Sequence, residues 1–269
     1  MKFGVRVHDF GRDDAKILAK KVREFRFESI HLAVKKALPG ISGNIDIKEK
    51  DIEYIKDAFK GIELSVLGSY IDFTTDDDEV WQNHKIEFIA TMKISKPLSA
   101  LYIGSESSYG NISMEDKIRL FPKLIERLDD ILNEADKYDV YVAMEPMEAH
   151  TLYCSEWTGK MIGKLGSDRL RIIFDPLNML IRERVDSQEV LWRECIDAFG
   201  KETEIIHLKD GNFPDKGRHV PCKLGDGVMR YEIIEKWLKK EKPDITIIRE
   251  EARYEYAKED LVFMKRLFI

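Results

Sequence analysis

Hydrophobic residues follow two alternating patterns along the chain. Short apolar runs of the kind that form buried parallel strands occur at residues 2–7, 29–32, 62–67, 98–103, 140–145, 170–175, 204–207 and 245–250. Between them, apolar residues recur at helical spacing, which predicts helices at about 13–25, 48–59, 78–93, 113–137, 157–165, 188–199, 231–240 and 256–268. The pattern therefore predicts strand and helix in regular alternation.

This alternation defines the expected fold class. The chain has 269 residues, of which 43% are hydrophobic and 35% are charged, enough to bury a large core beneath a polar surface. No linker or low-complexity segment interrupts it. The number of strand–helix units and the length both favour an α/β protein with a single (β/α)8 TIM barrel, one domain over residues 1–269, rather than an open doubly wound sheet.

Four local features carry expectations of their own. Residues 34–44 contain Gly and Pro and are predicted to be a loop, and Gly104 is predicted to close the fourth strand. Pro122 lies within a helical pattern, so it either kinks that helix or marks its true start. The connection at residues 211–230 is the longest in the second half of the chain and is a candidate substrate loop.

The composition limits the classes of partner and the cellular location that we expect for the protein. The net charge of -6 argues against a nucleic-acid partner, because such proteins usually present a basic face. Cys154, Cys195 and Cys222 are odd in number and have no metal-site spacing, which is typical of reduced thiols. There is no signal-peptide pattern and no run of about 18 apolar residues, so the sequence predicts a cytoplasmic protein with no membrane partner.

Four of the predicted strands end in polar side chains. The fifth ends at Glu145, the sixth at Asp175, the seventh at His207 and the eighth at Glu250. One such ending would mean little, but TIM barrels gather their working residues at the C-terminal ends of strands, so four endings predict a shared site. Because adjacent strand residues face opposite sides, only one of Glu250 and Glu251 can point inward, and Glu250 is the preferred choice.

The types of these four residues favour a metal. Three carboxylates and one imidazole suit Mn²⁺, Mg²⁺ or Co²⁺, and the set also accommodates Zn²⁺. Three carboxylates converging on one point would repel one another without a cation, and one divalent ion removes that repulsion. The alternative for each residue alone is an ordinary salt-bridged carboxylate or, for His207, a hydrogen-bonded core histidine.

The motifs around these residues resemble those of the xylose isomerase-like TIM barrel superfamily. They are Val142-Ala-Met-Glu145, Ile173-Phe-Asp175-Pro-Leu-Asn178, Ile206-His207-Leu-Lys209-Asp210 and Gly225-Asp-Gly227. The superfamily contains sugar and sugar-phosphate isomerases and epimerases, as well as type IV apurinic endonucleases, and its members often form homo-oligomers. The resemblance implies a metal on Glu145, Asp175, His207 and Glu250, and a carbohydrate substrate.

The resemblance also implies roles in catalysis and binding. Glu145 and Glu250 would act as acid and base on opposite faces of the substrate, transferring protons through an enediolate. Candidate substrate-binding residues are Asn178, Lys209, Arg218 and His219. A salt bridge is an equally open reading for Lys209, as is a solvated loop for Arg218 and His219.

The sequence departs from the endonuclease branch of the superfamily. Many relatives carry His where this chain has Asn178, and no His occurs near Leu67–Ser69 or Tyr102–Gly104, where that branch places two zinc ligands. A three-zinc site is therefore incomplete, which favours the isomerase or epimerase over a phosphodiesterase. A metal-dependent dehydratase of the same superfamily and a barrel that only binds sugar remain alternatives.

Overall fold

The computed structural model describes residues 1–215 and 217–269. Its strands are Lys2–Arg6 (β1), Ser29–Leu32 (β2), Glu63–Gly68 (β3), Tyr102–Glu106 (β4), Val142–Glu145 (β5), Leu170–Phe174 (β6), Thr203–Leu208 (β7), Asp210–Asn212 (β8), Val220–Cys222 (β9) and Thr246–Arg249 (β10). Eight parallel strands close into a barrel in the order β1-β10-β7-β6-β5-β4-β3-β2, and β8 and β9 form a separate antiparallel hairpin. The predicted (β/α)8 barrel is confirmed.

Helices connect successive barrel strands. They are Ala15–Phe25 (α1), Val34–Ala37 (α2), Glu49–Ala58 (α3), Asp78–Leu98 (α4), Met114–Tyr138 (α5), Ser155–Leu165 (α6), Pro176–Met179 (α7), Gln188–Phe199 (α8), Glu232–Glu241 (α9) and Ala257–Phe268 (α10). Side-chain caps fix the starts of two long helices, since Asp77 accepts the amides of Glu79 and Val80, and Ser113 accepts the amide of Asp116. In the described part of the chain, none of these helices combines the length and apolar character that crossing a membrane requires.

The barrel interior is filled by a small apolar cluster that lies directly beneath the polar strand ends. It includes residues two positions before each of them, namely Ala143, Ile173, Ile205 and Ile248. Because alternate residues of a strand face the same side, the four polar residues continue the inward-facing rows. The larger core lies outside, between the strands and the surrounding helices.

The fourth strand differs from its prediction at both ends. Helix α4 continues past Lys93 to Leu98, because Ile94 and Leu98 are buried at helical spacing, so β4 begins only at Tyr102. At its other end β4 passes through Gly104 and reaches Glu106. A Cβ on residue 104 would lie 2.6 Å from Val66 Cγ1, so this glycine marks close packing inside the barrel and not the end of a strand.

Three further expectations are corrected. The predicted loop at residues 34–44 begins with the short helix α2. Helix α5 runs through Pro122, so this proline does not mark the start of the helix, and a kink there stays a prediction. The carbonyl that loses its donor at Pro122 belongs to Ile118 on an exposed turn, where water can replace that donor. The long connection at residues 211–230 is partly structured, because it contains strand β9 of the hairpin.

Candidate metal centre

The four polar strand ends meet at one point. Glu145 ends β5, Asp175 directly follows β6, His207 lies in β7 and Glu250 directly follows β10. One ligand atom from each residue lies within 4.8 Å of the others, and all four residues are buried. Glu251 lies outside this group, with a backbone φ of 58° and a side chain that is 44% exposed. The structure thus places Glu250, and not Glu251, in the cluster.

Histidine and asparagine side chains hold the carboxylates in place. His207 Nδ1 lies 3.1 Å from Glu145 Oε2 and 3.5 Å from Glu250 Oε2. Asn178 donates its Nδ2 to Glu145 Oε1 at 2.7 Å and its backbone amide to Asp175 Oδ1 at 3.1 Å. Asn178, in α7, therefore positions two members of the cluster, and its predicted role in substrate binding stays a prediction.

Two cations border the cluster. Lys209 Nζ lies 3.0 Å from Asp175 Oδ2 and 2.9 Å from Glu250 Oε2, and it donates to Asn178 Oδ1 at 3.1 Å. Arg6, at the end of β1, forms an ion pair with the other oxygen of Glu250. Arg6 was not predicted as a site residue, because the first apolar run was predicted to end at Val7, whereas β1 ends at Arg6.

Electrostatics keep the first carboxylate ionised. Burial acts to raise the pKa of Glu145, but the charge and hydrogen bond of His207 and the charge of Lys209 outweigh burial and lower the pKa to about 2. Burial raises the pKa of Asp175, against the opposing charge of Lys209. Glu145 thus carries its negative charge in a buried position, where its attraction for a cation is stronger than in water.

The surroundings of two carboxylate oxygens in the cluster indicate whether a metal ion would fit. Asp175 Oδ2 and Glu250 Oε2 are buried, and neither accepts a hydrogen bond from any described residue. Lys209 is at ion-pair distance from both, but its position does not meet hydrogen-bond geometry. One ammonium group shared between two buried carboxylates leaves acceptor capacity on both, which a second cation would complete. With His207 nitrogen and Glu145 oxygen alongside, the donor set fits one divalent cation.

Asp210 ties the long loop to the end of β7. Its carboxylate accepts backbone amides at 2.8 Å from Gly211, 2.9 Å from Gly225, 3.2 Å from Gly227 and 3.2 Å from Met229. Gly225 has a φ of 91°, the left-handed conformation that favours glycine in a tight turn. The Gly-Asp-Gly motif therefore serves as a backbone anchor beside Lys209.

Arg218 and His219 lie in the loop that Asp210 anchors. Burial and then the charges of Lys209 and Arg218 lower the pKa of His219 to about 4. Burial and then the charge of Arg218 lower the pKa of His150, in the loop between β5 and α6, to about 4. Arg218 itself is exposed. The predicted roles of Arg218 and His219 in substrate binding stay predictions.

Glu106 and His31 also border the cluster. Glu106 pairs in register with Glu145 across β4 and β5, and burial followed by the charge of Glu145 raises its pKa to about 7. His31 Nδ1 lies 3.3 Å from His207 Nε2, with the two rings stacked 5.1 Å apart. Glu106 was not predicted as a site residue, because the fourth strand was predicted to end at Gly104. Continuing that strand by two residues would have revealed another carboxylate at a strand end.

Comparison with known proteins places the chain in a family. Residues 19–267 match the family described as xylose isomerase-like TIM barrel, whereas no curated protein matches the sequence. D-psicose 3-epimerase from Clostridium cellulolyticum H10, crystallised with D-tagatose, is 16% identical, with a TM-score of 0.76 over 100% of this chain and 99% of that chain.

Two further structures have the same fold. The 3-keto-D-glucoside 4-epimerase YcjR from E. coli is 15% identical, with a TM-score of 0.76 over 99% of each chain. A protein from Bacillus anthracis described as the probable 3-DHS dehydratase AsbF is 13% identical, with a TM-score of 0.73 over 98% of this chain and 99% of that chain. From its barrel and the match over most of its length, this chain belongs to the xylose isomerase-like TIM barrel family.

Proposed function

We propose that this protein is a metal-dependent isomerase or epimerase that acts on a carbonyl-containing sugar. The observation that carries the proposal is the convergence of Glu145, Asp175, His207 and Glu250 on one buried point, with two carboxylate oxygens left without hydrogen bonds. A divalent ion held by these residues would supply positive charge beside the carbonyl oxygen of the substrate and so acidify the neighbouring C–H.

The two glutamates provide the proton transfers. Glu145 and Glu250 approach His207 Nδ1 from different strands, β5 and β10, which are separated in the barrel by β6 and β7. A substrate carbon between them would lose a proton to one carboxylate and receive a proton from the other on its opposite face. If a proton is returned to the same carbon on its opposite face, the configuration at that carbon is inverted. If the proton is instead returned to the neighbouring carbon, the carbonyl group changes position.

The remaining site residues would orient the substrate and the glutamates. Asn178 holds Glu145 Oε1, and Arg6 holds one oxygen of Glu250, so each acid/base group keeps a single orientation. Lys209 would place its charge beside the oxygen that becomes negative during proton removal. Arg218 and His219 would close over the sugar hydroxyls from the loop.

A dehydratase is the second candidate, favoured by the similarity to the Bacillus anthracis protein. It would share the first proton abstraction and then expel a hydroxyl group in place of returning the proton. A phosphodiesterase is not proposed. In the part of the chain that the structure describes, there is one group of three or more metal-ligating side chains, where a three-zinc site would need more.

Proton exchange tests the proposal directly. Protein loaded with Mg²⁺ would be incubated with D-fructose and other ketoses in deuterated water, and loss of C–H signals would be followed by NMR. Removing a general acid or base typically slows a reaction by about 10²–10⁴-fold, so Glu145→Gln and Glu250→Gln should each lose exchange by this factor.

Glu251→Gln is the matched control, because Glu251 is adjacent in sequence but outside the cluster, and it should retain exchange. Appearance of an ultraviolet-absorbing product would identify the dehydratase. Full activity in both Glu145→Gln and Glu250→Gln would refute the acid/base assignment.

A further inference from the structure

A cavity of about 700 Å³ opens over the C-terminal ends of β2, β3 and β4. Its size falls within the range of about 300–1,000 Å³ in which proteins bind small molecules. The proposed chemistry takes place on the opposite arc of the barrel, at β5, β6, β7 and β10. The cavity is therefore additional to the space that the proposed metal ligands surround.

Two lining residues connect this cavity to the metal centre. Glu106 lines the cavity and is the register partner of Glu145. Tyr70 also lines it, and its hydroxyl lies 3.0 Å from His31 Nε2, while the other nitrogen of His31 lies 3.3 Å from His207. The cavity thus lies one side chain away from two proposed metal ligands, next to the proposed position of the reacting ring.

The junction between the two spaces has unused hydrogen-bonding capacity. His150 Nδ1 is buried and has no hydrogen-bond partner among the described residues. It lies 3.6 Å from Glu106 Oε2, beyond hydrogen-bonding distance. A carboxylate acceptor and an imidazole nitrogen side by side suit a hydroxyl group, which both donates and accepts.

The farther part of the cavity has an aromatic wall. Tyr109 donates its hydroxyl to the Tyr70 carbonyl at 2.7 Å, and this hydrogen bond fixes the orientation of its ring. Tyr109 is nevertheless 51% exposed, so its ring is open to a ligand. Lys36 Nζ lies over the Tyr70 ring, 4.3 Å from its centroid. Aromatic side chains with a polar rim suit a ring that has one apolar C–H face and several hydroxyls.

The charge of the lining argues against a phosphate group. Its charged residues are two lysines and three carboxylates, namely Lys35, Lys36, Asp46, Glu87 and Glu106. Phosphate sites depend on clustered cationic donors, usually arginines, without an excess of carboxylates. The lining therefore suits a neutral polyhydroxylated group better than an anion.

We propose that this cavity, lined by Lys36, Tyr70, Glu106 and Tyr109, is a distal subsite for a second sugar ring. The substrate class is then a disaccharide or glycoside whose reacting ring lies at the metal centre and whose other ring lies against the tyrosines. This inference rests on the proposed function for the position of the reacting ring. Its binding test does not depend on turnover.

The test compares three probes by isothermal titration calorimetry with the Mg²⁺-loaded protein. Lactulose carries a second ring on a ketose, D-fructose lacks that ring, and D-fructose 6-phosphate carries a phosphate in its place. The subsite predicts that lactulose binds at least about tenfold more tightly than D-fructose. Tyr109→Ala should reduce this ratio to less than about threefold, because it removes the aromatic wall.

Tyr54→Ala is the matched control, since Tyr54 is a comparably exposed tyrosine whose hydroxyl also makes one hydrogen bond, to Asp14. It should leave the ratio unchanged. Equal affinities for lactulose and D-fructose, or no effect of Tyr109→Ala, would overturn the subsite while leaving proton exchange on D-fructose intact. Tighter binding of D-fructose 6-phosphate than of lactulose would overturn it in favour of a phosphate site. Preferential lactulose binding without proton exchange would retain the subsite and refute the proposed function.

Discussion

A buried ion pair beside the metal centre offers a sharp test of how the site is supported. Arg249 precedes Glu250, and Asp260 lies in α10. Both side chains are 0% exposed, and Arg249 Nε donates to Asp260 Oδ2 at 2.7 Å. The other oxygen of Asp260 accepts the Leu224 amide at 3.0 Å, next to the Gly-Asp-Gly turn. The pair therefore links β10, α10 and the substrate loop.

The change Asp260→Asn keeps the shape of the side chain but removes its charge. The Arg249 guanidinium would remain buried with only carbonyl partners, of which Cys222 O lies at 3.0 Å and Leu208 O at 3.4 Å. Breaking a buried ion pair on one side destabilises proteins by about 3–5 kcal/mol. Because these carbonyls offset part of the loss, we expect the lower end, about 3 kcal/mol, which corresponds to a fall of roughly 6–12 °C in Tm.

Urea unfolding followed by tryptophan fluorescence and circular dichroism would measure this change. Asp130→Asn is the matched control, because Asp130 pairs with Lys85 at 3.1 Å but its side chain is 54% exposed, so it should lose less than about 1 kcal/mol. Arg249→Met combined with Asp260→Leu should recover stability relative to Asp260→Asn, since no buried charge is left unpaired. A loss in Asp260→Asn no larger than that of the control would refute the reasoning.

Three further predictions concern the loop, the pH dependence and the metal. Gly227→Ala would place a Cβ 2.0 Å from Asp210 Oδ1 and should lower the free energy of unfolding, measured in urea, by about 1–3 kcal/mol. The control Gly163→Ala meets nothing within 4 Å and should not destabilise the protein. Equal effects of the two changes would contradict the role of Asp210 as a backbone anchor. The pKa of His150 is lowered to about 4, by burial and then by Arg218, so as the pH falls from about 6.5 to about 4 the unfolded chain binds the proton first and stability decreases. His150→Gln should flatten this decrease by up to about 1.4 kcal/mol per pH unit in urea titrations, and an unchanged slope would contradict the assignment. Adding Mg²⁺ at about 100 times its Kd should stabilise the fold by about 2.7 kcal/mol, reversibly with EDTA, and no shift in Tm would count against a metal site in the folded protein.

The fold could be predicted from the sequence because strands and helices have distinct hydrophobic periodicities. Strands buried on both faces form continuous apolar runs, while the helices show one apolar face, so their alternation identified the barrel. The exact ends of strands and helices were harder to predict from the sequence. Gly104 resembles a stop signal in the sequence, yet the structural reason for a glycine here is the lack of room for a Cβ beside Val66. That restriction exists only once β3 and β4 are paired.

The candidate site could be predicted only in part, because some of its residues carry a local sequence signal and others do not. The four cluster residues share a local signal, a polar residue at the end of a strand. The contact between Arg6 and Glu250 joins the two ends of the chain and depends on closure of the barrel between β1 and β10. The stacking of His31 on His207 likewise joins strands that are distant in sequence. Such pairings follow from topology, which no local pattern contains.

Metal content tests the central claim most directly. Elemental analysis would be performed on the wild-type protein after incubation with Mn²⁺ or Mg²⁺ and gel filtration, alongside His207→Ala and the control His84→Ala, whose ring contacts the Asp72 carbonyl outside the cluster. The four-residue centre predicts about one divalent ion per chain in the wild type and in His84→Ala, and its loss in His207→Ala. No bound ion in the wild type, or the same content in His207→Ala, would contradict a metal centre formed by Glu145, Asp175, His207 and Glu250.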